Sequence, residues 1–368
     1  MPAASGPARP PHCPNPGCDF HVDPAGWRYK RAGFFARQKA PFSVQRYRCT
    51  HCRRSFSQQT FSTTYWLKRP ELQAQVLHGE VGGSGHRQMA RQHDAAHSTI
   101  QRHVARIGRH CLLRHEALRA RILERTGDEP LVLDGLRTFA GGQYWVLEIS
   151  NLVGVRSYVS HDFVVTERRR SGTMTALQRR RRSDLEERLG RPDPRGLRKD
   201  VLELLDASLP EKRAVQIRSD DEKAYPWALG RLPGRPIHHE TTPSTAPRTP
   251  HNPLFAVNAH HGFLRHSASN HKRETIAFSK KIASAIWRHA IFQSWVNEAK
   301  WASERNPTTT PAMRLRVHGR RFGVPDLLGR RLFPGRMRLR ERLLAYYSGT
   351  VRSRFLANER VHELRYAF

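Results

Sequence analysis

Apolar positions change their spacing along this chain. From residue 67 to 125 they recur at helical intervals. Within that stretch residues 87–93 predict a short helix, 94–97 a turn, and 98–107 a second helix with Ser98 placed to cap it. Residues 111–125 continue as a helical linker. The texture changes at Glu129-Pro130. Leu131-Val-Leu-Asp134-Gly135 predicts a buried strand with Asp134 at its carboxyl end. Residues 143–150 and 155–165 predict two more strands, joined by short turns into an antiparallel meander. Residues 214–218 and 236–240 predict a fourth and a fifth. Helical patterns separate these strands at 174–189 and 223–229. A Thr/Pro-rich loop spans 241–253. Beyond it the chain turns helical from Ala256, with Val257, Leu264 and Ala268 as the apolar back. A further helix over 279–299 offers Ile286, Ile291, Phe292 and Trp295 to a core. The sum is an α/β protein with a mixed five-stranded sheet.

Cysteine spacing adds a separate front end. Cys13 and Cys18 form one knuckle, Cys49 and Cys52 a second, about thirty residues on. Four thiolates in two close pairs predict a structural Zn²⁺ site, a zinc ribbon in a reducing cytoplasm. Cys111 stands alone and reads as a buried apolar residue. The expected organisation is a ribbon with a disordered lead over 1–66, then a helix-turn-helix over 67–128. An α/β domain follows over 129–300, with a basic helical insertion at about 166–212. The basic region 301–368 has no assignable fold.

Charge then identifies the partner class. Lys and Arg total 64 against 32 Asp and Glu, a formal net charge of +32. Such an excess fits a polyanion, most simply nucleic acid. No apolar run is long enough to span a membrane, and five cysteines in 368 residues exclude a disulfide scaffold. Candidate DNA contacts are Arg53 and Arg54 beside the second knuckle, and Ser98, Thr99, Gln101 and Arg102 on the second helix of the turn motif. Arg168 and Arg169 open the basic insertion and can track a phosphate backbone.

Three strands, helical material, a strand ending in acid, a short strand and a helix follow the order of a ribonuclease-H-like core. In that order the first and fourth strands are neighbours. Asp134 and Asp220 then meet, and the closing helix brings Asn258 from the side. Asp221 is one register step from Asp220 and remains an alternative. Two carboxylates that share hard divalent cations suit phosphoryl transfer, with Mg²⁺ or Mn²⁺ as a two-ion cofactor. Arg265 lies seven residues from Asn258, close to two turns, and faces the same way. His261 lies one turn along and could also face the site, although a lone His like this is more often a surface residue. Glu274 is the nearest acid downstream.

At these residues the sequence resembles bacterial insertion-sequence transposases of the DDE type, across nearly the whole chain. The cysteine pairs are similar to their N-terminal ribbon, and Leu133-Asp134-Gly135 and Ser219-Asp220 to their first two catalytic acids. Leu264-Arg265, followed by Lys272-Arg273-Glu-Thr-Ile-Ala-Phe-Ser-Lys280, is the strongest match. That alignment places Asn258 where the third acid stands. Asn258 is not an acid, and some zinc-ribbon transposases use Asn there. The resemblance implies Asp134, Asp220 and Asn258 as ligands of two ions, with Arg265, Lys272 and Arg273 on DNA. It further implies nicking and strand transfer without a covalent intermediate. Partners would be the terminal inverted repeats and target duplex DNA, held by a homo-oligomer in the bacterial cytoplasm at the nucleoid. The alternative is a degenerate or domesticated copy that binds DNA without cutting it.

Overall fold

A computed structural model describes residues 9–38 and 40–357. The first eight residues of the expected disordered lead, and residues 358–368 of the C-terminal region, lie outside the described residues. The chain begins with an antiparallel sheet of β1 (Tyr29–Ala36), β2 (Ser43–Cys49) and β3 (Ser55–Ser57). So small a sheet buries little apolar surface. Its core is Cys13, Cys18 and Cys49, with Trp27 and Phe56 packed on them and Tyr47 stacked on Phe56 at 5.5 Å.

Three helices follow: α1 (Leu72–Val81), α2 (His86–Gln92) and α3 (His97–Arg125). α3 is one helix of 29 residues, so the second helix of the turn motif and the expected linker are continuous. Ile100, Val104, Ile107 and Cys111 are buried at three- and four-residue spacing. Ser98 does not cap it. The chain is already helical at His97, so Ala96 is the N-cap and Ser98 stands exposed in the first turn.

The second sheet comprises β4 (Leu131–Phe139), β5 (Trp145–Gly154) and β6 (Ser160–Arg169). After α4 (Ala176–Leu189) and α5 (Gly196–Ser208) come β7 (Val215–Ser219), α6 (Ala224–Leu229) and β8 (Ile237–Thr241). Strand order is β6-β5-β4-β7-β8. β4, β5 and β6 are antiparallel neighbours, while β7 runs parallel to β4 and β8 parallel to β7. The third strand starts at Ser160 rather than 155, because β5 continues to Gly154 by pairing Asn151–Gly154 with Leu131–Asp134. One face carries Leu131, Leu133, Leu152 and Val164, which bury Val201, Leu204 and Leu205 of α5. α4 buries none of its described side chains, as its run Arg179 to Arg182 suggests.

α7 (Phe255–Ser267) and α8 (Ile282–Glu298) cover the opposite face. Leu254 and Val257 pack on Val132 and Val153, and Leu264 on Leu136. α8 lies against α3. They approach tightly at Gly108, where an added Cβ would sit 2.3 Å from the Trp287 Cβ. The C-terminal part, for which the sequence suggests no fold, forms α9 (Pro311–Arg314), α10 (Val324–Leu328) and α11 (Glu341–Ser348). Leu327, Leu328, Leu343 and Tyr346 enter the main core. The Arg331 N–H donates to the Phe61 carbonyl at 2.9 Å, and the Phe333 ring meets His12 at 4.9 Å. This segment thus ties the ribbon to the helices.

Candidate active site

Asp134 lies in the middle of β4, not at its end. Its pairing with β5 continues to Phe139, but β7 accompanies β4 only as far as Leu133–Ser219. Asp134 and Asp220 therefore stand at the first level beyond that pairing. By strand alternation both point to the α7 side of the sheet. A buried strand carries an acid here because the neighbouring strand has just ended. Burial, then the charge of Asp220, raise the Asp134 carboxyl to about 7, although the Gly135 N–H donates to it at 2.7 Å. Asp220 is also shifted up, first by burial. The Glu222 N–H opposes this at 3.1 Å, and the charges of Asp221 and Glu222 add to it. Asp221 is exposed and accepts from Ser244 Oγ at 3.1 Å.

The α7 side chain that reaches Asp134 is His261. It is buried, with Nδ1 3.6 Å from Asp134 Oδ2. Of the two positions the sequence left open, the structure therefore selects the one that faces the site. Val257, His261, Leu264 and Ala268 form one stripe, and that stripe faces the sheet. Asn151, cross-strand from Asp134, contacts His261 Nε2 through its Nδ2 at 3.2 Å and His289 Nε2 through its Oδ1 at 2.9 Å. The Asn151 amide also donates to the Ile149 carbonyl, which orients it. His261 Nε2 is then an acceptor, and the neutral ring carries its proton on Nδ1, toward Asp134. Burial, with His260 and Arg265 nearby, holds the His261 pKa well below its usual value.

Asn258 is half-buried one turn before His261. In helical projection it is only about 20° from Arg265. Arg265 Nε is buried without a hydrogen-bond partner. Its pKa falls through burial, then through the charges of Arg273 and Arg248. Arg248, on the Thr/Pro loop, also acts on Asp134. A cluster of arginines thus borders the acid pair.

The residue types at the pair suit a hard divalent cation: carboxylate oxygens, an amide nearby, and mutual repulsion that a cation would relieve. The ribbon suits a softer ion. All four thiol sulfurs of Cys13, Cys18, Cys49 and Cys52 lie within 4.8 Å of one another. Cys13 Sγ and Cys52 Sγ are 3.7 Å apart, close to the edge of a tetrahedron of Zn–S bonds of about 2.3 Å. Burial pushes the Cys13 and Cys18 thiols up. Against its own burial Cys49 is drawn down to about 6, with the Trp27 indole N–H donating to its sulfur at 3.3 Å.

The basic candidates separate into two groups. Arg168 is engaged internally, 3.2 Å from Glu148 and 3.6 Å from Glu222, and Arg169 pairs in two-pronged fashion with Glu186. Arg53, Arg54, Ser98, Gln101, Arg102, Lys272 and Arg273 are exposed, and Thr99 is half-exposed. Ser98, Thr99, Gln101, Arg102 and Lys272 line one groove of ≈ 1370 Å³ between the turn motif and the stretch after α7. Among the described residues lining it, lysines and arginines recur and there is no carboxylate.

No protein-family model matches the chain, and no curated protein matches it. Among solved structures it is similar to a chain of the cryo-electron-microscopy structure of the simian T-cell lymphotropic virus intasome in complex with PP2A regulatory subunit B56 gamma. Identity is 14%, over 68% of this chain and 74% of that one, with a TM-score of 0.26. Among the described residues no helix is long and apolar enough to cross a membrane.

Proposed function

We propose that the protein is a metal-dependent polynucleotidyl transferase of the insertion-sequence transposase kind, built on a ribonuclease-H-like core. The observation that carries this reading is the juxtaposition of Asp134 and Asp220 beside parallel neighbouring strands, with the Asp134 carboxyl raised by burial and then by its neighbour. The strand order β6-β5-β4-β7-β8 supports the same core. The ribbon cysteines would hold Zn²⁺ as a structural ion. Asp134 and Asp220, with the Asn258 amide oxygen, would hold Mg²⁺ or Mn²⁺. When bound there, such ions would supply activation of the attacking oxygen and stabilisation of the leaving one. Arg265, with Arg248 and Arg273 close by, binds and orients substrate phosphate. Neutral His261, fixed by Asn151, keeps a proton aimed at Asp134 and limits its movement. The groove with Ser98, Gln101 and Arg102 binds duplex DNA, and a homo-oligomer holds two ends together.

The test is nicking of duplexes carrying the sequences that flank the gene, with Mg²⁺ or Mn²⁺. Wild type should cut at a terminal repeat, and Asp134→Ala with Asp220→Ala should not. Undiminished nicking by the double variant rejects the reading. One observation favours a second reading. Among the described residues the four cysteines are the only group of three or more His, Cys, Asp or Glu spaced to hold a metal, so the acid pair lacks a third acid. In that case the protein binds DNA in a salt-dependent way and cuts with neither metal.

A further inference from the structure

The groove is lined by apolar side chains that phosphate binding does not explain, among them Trp66, 68% exposed, and Ile276. Ile276 is 94% exposed, the most exposed large apolar side chain among the described residues. It stands on the stretch that follows α7, and that stretch is firmly built. The Thr275 hydroxyl donates to the Ser269 carbonyl at 2.9 Å and accepts from the Ala277 N–H at 3.0 Å. Arg288, held in a buried ion pair with Glu80, donates to the Ala277 carbonyl at 3.3 Å. Ser279 bridges to Ala140, and its carbonyl accepts from the Gly141 N–H at 2.8 Å. Phe278 packs on Phe139, with Lys280 over its ring at 3.3 Å. Both neighbours of Ile276 are therefore anchored while its own side chain meets water.

Its surroundings select the occupant. Lys272 and Lys280 line the groove beside it, with Arg87 and Arg102 of the turn motif, and no carboxylate lines it among the described residues. A polyanion that also offers an apolar slot fits, and stacked base pairs do so. A rigid aliphatic tip can enter a base step and unstack it while cations hold the flanking phosphates. We propose that Ile276 is a wedge that opens one base step of duplex DNA bound in this groove. The proposal rests on the DNA-binding reading above and adds a deformation that the acid pair and the turn motif do not require.

The experiment uses the full-length protein and two short duplexes of one sequence, one fully paired and one with a central abasic site. Unstacking is already complete at the abasic site, so a wedge should prefer that duplex by about ten-fold or more at fixed salt. Ile276→Ala should bind the paired duplex within about two-fold of wild type, since the side chain is exposed, and should lose the preference. Ile276→Leu should restore it. A 2-aminopurine placed beside the opened step should brighten with wild type and not with Ile276→Ala. Equal binding of both duplexes by wild type, or a preference kept by Ile276→Ala, overturns the wedge and leaves the DNA-binding reading standing. Failure to bind either duplex overturns both.

Discussion

At the scale of single residues, the acid pair stores repulsion. Asp134 has a folded pKa of about 7 against 3.8, because burial and Asp220 disfavour its charge. Between those values the folded state holds more protons than the unfolded one. Stability contributed here is therefore lost as pH rises from about 4 to about 7 and stays lost above. Asp134→Asn cannot ionise. At pH 8 without divalent cations it should be more stable than wild type by about 1–3 kcal/mol, and on the proposed function it should not nick. Mg²⁺ should then raise the melting temperature of wild type and leave the variant unmoved. Melting curves across pH check this, and parallel wild-type and variant profiles would contradict it. Asp134 and Asp220 were legible in the sequence as acids closing apolar runs. His261 was legible only as a residue one turn from Asn258 that could face either the site or the surface. Its burial depends on which stripe of α7 meets the sheet, and a basic helix with apolar residues on more than one side does not announce that.

Among elements, the α3–α8 contact carries much of the core, and Gly108 sets its closeness. An added methyl would fall 2.3 Å from the Trp287 Cβ and 2.7 Å from its Cα, backbone that cannot swing aside. Gly108→Ala should destabilise the protein by about 1–3 kcal/mol or more, read as a lower denaturant midpoint. The ribbon has the opposite construction, with few apolar contacts and four convergent sulfurs. Stripping zinc with a chelator, or substituting Cys49→Ser, should unfold residues 13–57 first. Protease cutting within that segment would report it. Strands were visible as short apolar runs and the cysteine pairs by spacing. The limits of β5 and β6 were not, because Gly154 is kept in β5 by its partner Leu131 rather than by local preference. Nor did the pattern show that the C-terminal helices enter the same core.

For the molecule as a whole, buried neutral histidines govern the response to acid. His110, His260 and His271 are fully enclosed, and burial lowers them to about 4, 4 and 3 from 6.5. Unfolding lets each bind a proton that the fold refuses. Stability should therefore fall as pH drops from about 6.5 toward 4, by about 1.4 kcal/mol per pH unit for each histidine at full effect. Denaturant titrations at successive pH values test this, and a flat profile between 6.5 and 5 would refute it.

Composition and local pattern by themselves determined the net charge of +32, the cysteine pairs, the alternation of strands and helices, and the two aspartates that end apolar stretches. These follow from nearest neighbours along the chain, where periodicity and turn chemistry act. Only the tertiary structure decided that β7 stops one residue short of Asp134's level, that His261 rather than a surface neighbour meets that carboxylate, and that Arg168 and Arg169 pair with acids of the same chain. It also decided that Ile276 is held into a groove without carboxylates. Each of these depends on contacts between residues far apart in sequence, where burial and charge are fixed by what packs alongside.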